Sequence, residues 1–249
     1  MKPHYELSGP PDAPVVVLGN SLGTTTALWD RQLPVLHRRF RVLRYDHRGH
    51  GGSAAVPGPY RIDDLADDVL ELLDALGLAR VSYCGVSMGG MVGMWLAGHA
   101  PERIERLVLC CTSAGFPTAQ PWLDRAATVR SSGTGSLGSA AVDRWFTPAF
   151  RSRSPEVVAA FEAGLSSVDD EGYAGCCEAL AAMDLRSVLP VIEAPTAVIA
   201  GASDEATPPE CGRFIADSIP GAAFHLVPGA HLANVEAADE VSAILEGHL

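Results

Sequence analysis

Short apolar runs alternate with longer stretches of helical periodicity along most of the chain. Runs at residues 14–18, 41–45, 80–86, 104–110, 196–200 and 222–227 are mostly continuous in apolar character. That is the signature of strands covered on both faces, as in parallel sheets. The clearest amphipathic stretch separates the second and third runs. Leu65, Val69, Leu72, Leu73 and Leu76 fall on one side of a helix, with Asp64, Asp67, Asp68 and Glu71 on the other. Gly77 ends that helix, and its acidic face is expected to be solvated. The alternation stops near Phe116 and resumes near Pro195. The stretch between is helical in flavour and carries the loose segment Ser131-Ser132-Gly133-Thr134-Gly135-Ser136. The pattern predicts an α/β core with a mostly parallel central sheet from residues 1–116 and 191–249, flanked by helices. Residues 117–190 are read as an inserted helical cap within one catalytic domain.

Composition narrows the function. The 249 residues include 30 acidic and 18 basic ones, a formal net charge of −12, and 47% are hydrophobic. α/β chains of 200–250 residues routinely form one unit, and a chain this rich in apolar residues folds around a core. An acidic field argues against nucleic acid as a partner, because phosphate binding needs a basic one. The six cysteines include two adjacent pairs and no C-x-x-C spacing. They read as small buried hydrophobes in a reducing cytoplasm, not as a zinc or redox site. The first twenty residues hold no secretory apolar region, and no membrane-spanning apolar stretch occurs. No metal constellation, P-loop or dinucleotide fingerprint is present, so no cofactor and no metal are expected.

Two segments fit G-x-S-x-G, at Gly85-Val86-Ser87-Met88-Gly89 and at Gly19-Asn20-Ser21-Leu22-Gly23. Chance gives on the order of 0.2 such matches in a chain of this size, so context must decide. Ser87 follows a convincing strand and precedes a run of small residues suited to a helix packed tightly beneath a sharp turn. Ser21 is followed by Thr24-Thr25-Thr26, a weak helix start, and reads as a loop serine. Ser87 is therefore the candidate nucleophile.

A serine hydroxyl needs a base, and the base an orienting acid. Asp204 lies in the loop after the strand at 196–200, and His231 just after the strand at 222–227. All three residues fall at the carboxyl ends of strands, where sites in open parallel sheets gather. His225, inside a strand, reads as packed. His47 and His50, in a Gly-rich loop before the nucleophile, read as turn contacts. Glu205 and Glu236 are alternative acids. Donors for a developing oxyanion are expected from the backbone N–H groups of Met88, at a helix start, and of Leu22 in the early loop.

Together these residues resemble the α/β-hydrolase superfamily. The wording Asn20-Ser21-Leu22-Gly23-Thr24, Trp145-Phe146-Thr147-Pro148, Asp204-Glu205-Ala206-Thr207-Pro208-Pro209 and His231-Leu232-Ala233-Asn234-Val235-Glu236 is similar to the 3-oxoadipate enol-lactonases. The elbow and the Arg48-Gly49-His50-Gly51 loop are generic to the superfamily; the segments just quoted are more specific. The resemblance implies hydrolysis of an anionic enol-lactone in the catabolism of protocatechuate and catechol, as a stand-alone enzyme or one half of a fusion with a decarboxylase. Its substrate carboxylate must meet local cations or donors. Arg130, Arg144, Trp145 and Trp122 are the candidates in the cap, while Leu232 and Asn234 are expected to pack. A simple carboxylesterase, a C–C bond hydrolase of ring-cleavage products or a perhydrolase would keep the triad and change the substrate. A non-catalytic receptor on the same fold would not need to keep serine, acid and histidine together.

Overall fold

The structure is a computed structural model and describes every residue after Met1. Seven strands form one sheet in the order β1-β3-β2-β4-β5-β6-β7. They are β1 (Tyr5–Ser8), β2 (Val15–Gly19), β3 (Arg41–Tyr45), β4 (Val81–Val86), β5 (Ile104–Cys110), β6 (Thr196–Gly201) and β7 (Ala223–Val227). β1 runs antiparallel to β3, and every other pairing is parallel. Six strands coincide with the apolar runs. β1 does not, because Tyr-Glu-Leu-Ser at a sheet edge buries too little to show a continuous run. β4 and β6 are buried at all six positions, as their sequences require.

The short α1 (Leu33–Leu36) precedes β3, and α2 (Ile62–Ala75) and α3 (Met88–His99) flank β4 in sequence. α2 buries Leu65, Val69, Leu72 and Leu73. It ends with Gly77 at φ +67°, and the Leu78 N–H donates back to the Leu73 carbonyl at 2.9 Å. One acidic residue departs from the solvated-face expectation. Asp68 is buried and receives two bonds from Arg48, from Nε at 2.5 Å and Nη2 at 2.9 Å. An ionised carboxylate leaves water only with such a partner.

Between β5 and β6 the chain builds α4 (Gln120–Ser132), α5 (Gly138–Trp145), α6 (Pro148–Arg153), α7 (Pro155–Ser166) and α8 (Asp170–Ala182). Pro148 and Pro155 stand at the starts of α6 and α7, where a missing N–H costs nothing. α9 (Pro209–Ser218) follows β6, and α10 (Ala233–Glu236) and α11 (Ala238–His248) follow β7. All six cysteines are free, and five are buried. Among the described residues no helix is long and apolar enough to cross a membrane. Nor, among them, is any group of three or more His, Cys, Asp or Glu side chains placed to hold a metal ion.

Candidate active site

Ser87 occupies the one-residue turn between β4 and α3, at φ +55° and ψ −115°. That is the left-handed region, costly for a residue with a Cβ, and such strain persists only where its surroundings enforce it. The enforcement is visible. The Ser87 N–H donates to the Cys110 carbonyl at 2.9 Å, and Thr112 Oγ1 donates to the Ser87 carbonyl at 2.7 Å. Glycine makes the close approach around the turn feasible. A Cβ on Gly89 would lie 2.4 Å from the Gly19 carbonyl carbon, and one on Gly85 would lie 2.2 Å from that of Gly89. The start of α3 therefore rests directly on the loop after β2.

That contact brings Leu22 and Met88 to the same end of the sheet. The Gly89 N–H donates to the Asn20 carbonyl at 2.9 Å, joining the two segments. Met88 is the first residue of α3, where the N–H has no partner within the helix. Aligned peptide dipoles add positive potential there.

Asp204 and His231 are hydrogen-bonded, Nδ1 to Oδ2 at 2.9 Å, and both are buried. The two loops that carry them are laced together: Ser203 N–H donates to the Gly229 carbonyl at 2.9 Å. A Cβ on Gly201 would sit 2.3 Å from the Ala230 carbonyl oxygen. Asp204 also accepts from the Ala206 and Thr207 N–H groups at 2.8 and 3.0 Å, and from Thr207 Oγ1 at 2.8 Å. Burial alone would raise its pKa, but the His231 ring and the Thr207 donors outweigh it and hold the carboxyl below its ordinary range. Thr207 was not singled out in the sequence, although a threonine three residues after an aspartate is a recognisable local turn donor. The Cys111 thiol lies 3.9 Å from the Ala230 carbonyl, tying the end of β5 to the histidine loop.

The remaining candidates take other places. Glu205 is exposed. Glu236 fastens the start of α6 to the histidine loop: its carboxylate accepts from Thr147 Oγ1, from the Thr147 N–H at 3.1 Å and from the Ala230 N–H at 3.2 Å. The Leu232 N–H adds a bond to the Trp145 carbonyl at 3.0 Å. These bonds join the Trp-Phe-Thr-Pro and His-Leu-Ala-Asn-Val-Glu segments in space. His225 is half-buried within β7. Asn234 is buried and donates to the Leu28 carbonyl at 2.9 Å.

His47 and His50 hold the early loop from below. His47 Nε2 bonds the Asn20 carbonyl at 3.0 Å. The Gly23 N–H donates to His50 Nε2 at 3.0 Å, so His50 Nδ1 carries the proton and donates to the Arg48 carbonyl at 2.8 Å. Both rings are neutral. Burial, reinforced by His50, pushes His47 down to about 3, and burial lowers His50 despite its bond to Arg48. The consequence for stability has a definite sign. The unfolded chain takes up these protons near pH 6.5, whereas the folded chain resists them. Stability is therefore intact above pH 6.5 and drains away as pH falls toward about 3. Denaturant melts across this range should lose about 1.4 kcal/mol per pH unit through His47, with His50 adding loss in the same direction. His50→Gln, which cannot protonate, should flatten that slope; an unchanged slope would remove His50 from the effect.

In the helical segment, Trp145 is buried and Arg144 half-buried. Trp122 packs on Phe116 with ring centroids 5.0 Å apart. Arg130 has its charge met within the protein, by Glu171 at 3.0 Å and Glu178 at 2.5 Å, on the outer side of α4 and α8. Sequence reading missed Arg125 and Tyr173. Tyr173 lies over the early loop, where a Cβ on Gly23 would meet its Cε2 at 3.3 Å and Trp145 Cζ2 at 3.4 Å.

A strained serine at a strand-to-helix turn and a buried Asp–His pair in strand-end loops of the same sheet fit a hydrolase of the α/β-hydrolase class. The chain belongs to the alpha/beta hydrolase fold family, matching it over residues 14–238. It is 42% identical over 233 residues to 3-oxoadipate enol-lactonase 2 of Acinetobacter baylyi, an alignment spanning 94% of this chain and 87% of that one. The enol-lactonase structure from Burkholderia xenovorans LB400 superposes with a TM-score of 0.96 at 43% identity, covering 98% of this chain and 95% of that one. A putative carbamate hydrolase, RutD, of Stutzerimonas stutzeri is 34% identical over 263 residues, covering 99% of this chain and 96% of that one.

Proposed function

We propose that this enzyme hydrolyses 3-oxoadipate enol-lactone to 3-oxoadipate by serine acyl transfer, within bacterial catabolism of aromatic compounds. The observation that carries the mechanism is the His231 Nδ1 to Asp204 Oδ2 bond. It commits one ring nitrogen to the acid and leaves Nε2 to take a proton from the elbow serine. Identity to named enol-lactonases over nearly the whole chain supports the substrate.

In this reading Ser87 attacks the lactone carbonyl as His231 takes its proton. The Leu22 and Met88 N–H groups receive the charge that develops on oxygen, an effect worth roughly 3–4 kcal/mol per donor in comparable sites. Ring opening expels an enol, a better leaving group than an alcohol, which becomes the ketone while still tethered through its acyl end. Water deprotonated by His231 then releases the acid. The helices between β5 and β6 serve as a cap over this site, with Arg144, Trp145 and Trp122 toward the substrate. Arg130, already paired twice, is the weaker of the sequence-derived candidates. Burial of the free thiols fits a reducing cytoplasm.

Turnover of the enol-lactone, followed by loss of its absorbance, is the test, run beside a simple aryl ester and a small carbamate. A preference of several hundredfold or more in kcat/KM for the lactone is expected, on the order of what binding specificity reaches. Preference for the carbamate would move the assignment toward the other group of relatives. Preference for the neutral ester would make this a general esterase.

A further inference from the structure

Arg125 and Arg144 are the half-buried arginines of the helical segment that lack a carboxylate partner among the described residues; Arg153 also lacks one but is exposed, over the Phe150 ring. Arg130, Arg151 and Arg186 each pair with a carboxylate. Among the described residues neither Arg125 nor Arg144 forms such a pair. The two guanidinium groups act on each other and on the Tyr173 hydroxyl, coming from α4 and α5 to meet a residue of α8. Asp143 adjoins Arg144 but is bonded by Arg151. Arg125 lies over the Trp122 ring, 4.8 Å from its centroid, and its guanidinium hydrogen-bonds the Tyr173 hydroxyl. Arg144 is half-buried, and burial disfavours its charge, with Arg125 adding repulsion.

Two like charges brought together in a partly buried place, with Asp143 the nearby acid but already bonded by Arg151, are relieved when an anion arrives. The position suits one. Tyr173, between them, lies over Gly23, one residue beyond Leu22. Trp145, next to Arg144, bonds the residue after His231 through its carbonyl. An anion held by the two arginines would therefore stand beside the oxyanion loop, on the cap side.

We propose that Arg125 and Arg144 form the receptor for the free carboxylate of the substrate, with the Tyr173 hydroxyl as a further donor between them. The assignment rests on the lactonase reading given above and goes beyond it by naming the specificity residues. It makes the site one for short-chain lactones or esters bearing a carboxylate. Charge selection comes from this pair while the protein as a whole remains acidic. Arg125 sits on the same helix as Arg130, yet Arg125 meets Tyr173 whereas Arg130 meets Glu171 and Glu178.

Arg125→Gln and Arg144→Gln should each lower kcat/KM for the enol-lactone by about 10- to 100-fold, mainly through KM, as loss of a charge-assisted bidentate contact does. Lysine at either position should restore only part, since its point charge lacks the planar fork. Hydrolysis of a neutral aryl ester should change less than about threefold, well below the loss assigned to a charged contact. Equal loss on the neutral ester, or an unchanged KM for the lactone, would overturn the assignment. Calorimetric titration with adipate separates this idea from the lactonase reading. Binding to the parent protein that vanishes in the double variant supports the receptor even if the lactone proves a poor substrate. Adipate binding equal in both proteins, or absent from both, refutes it.

Discussion

Ser87→Ala should lower kcat by about 10⁴- to 10⁶-fold on any substrate the enzyme turns over, the range found when a triad nucleophile is removed. The fold should survive. The Ser87 side chain makes no capping bond to α3, so its loss orphans no buried partner. Alanine keeps the Cβ, and with it the strain of φ +55°. Ser87→Gly should be equally inactive but more stable than the parent, by about 1 kcal/mol or more, because glycine adopts that conformation freely. Opposite effects on activity and stability at one position are the mark of strain kept for chemistry. Thermal melts beside steady-state rates, with labelling by a serine-directed phosphonate in the parent alone, check all three proteins. Turnover within tenfold of the parent in Ser87→Ala would take Ser87 out of the chemistry.

The strand-end logic was legible because it depends on short-range features. β4 and β6 are buried at every position and β5 over its last four, so their ends are sharp and the loops that follow can be located to a residue or two. Ser87 and Asp204 stand just past the ends of β4 and β6, and His231 follows the less buried β7. The second G-x-S-x-G could be set aside from its neighbours, and the structure explains its glycines. Gly19 is the surface on which Gly89 rests, and Gly23 lies beneath Tyr173 and Trp145.

What could not be read depends on packing between helices. α4 is polar around most of its circumference and buries only Ala126 and Val129. Nothing in its sequence distinguishes Arg125, facing Tyr173, from Arg130, facing Glu171 and Glu178. Asp68 looked like the other acids of α2 because its partner, Arg48, lies in a separate loop. Glu236 was visible as an acid, but its three bonds to Thr147 and Ala230 need the start of α6 and the histidine loop to be neighbours. β1 escaped because an edge strand pairs on one side only and needs no apolar run.

Asp204→Asn should cost about 10⁴-fold in kcat with little loss of stability, as expected when the histidine tautomer is reversed. The hydrogen bonds dictate which way the new amide turns. Oδ1 of Asp204 accepts from two backbone N–H groups, those of Ala206 and Thr207. An asparagine must keep its carbonyl oxygen there, since its NH₂ would face two donors. The NH₂ then replaces Oδ2, opposite His231 Nδ1 and Thr207 Oγ1. Thr207 can rotate its hydroxyl and accept. The histidine ring must present a lone pair at Nδ1, which places its proton on Nε2, the nitrogen that takes the proton of Ser87 in the proposed mechanism. The base is thus occupied before the reaction begins, although every heavy atom keeps its place. Asp204→Ala makes the contrast: it leaves the Ala206 and Thr207 donors without an acceptor and should lose about 1–3 kcal/mol of stability as well as activity. Comparing unfolding free energies and kcat for the two variants separates orientation of the base from simple support of the loop. If Asp204→Asn kept a tenth or more of the parental rate, Asp204 would not be the acid that orients His231, and the ring would have to be set by Thr207, whose Oγ1 lies 3.3 Å from the same nitrogen.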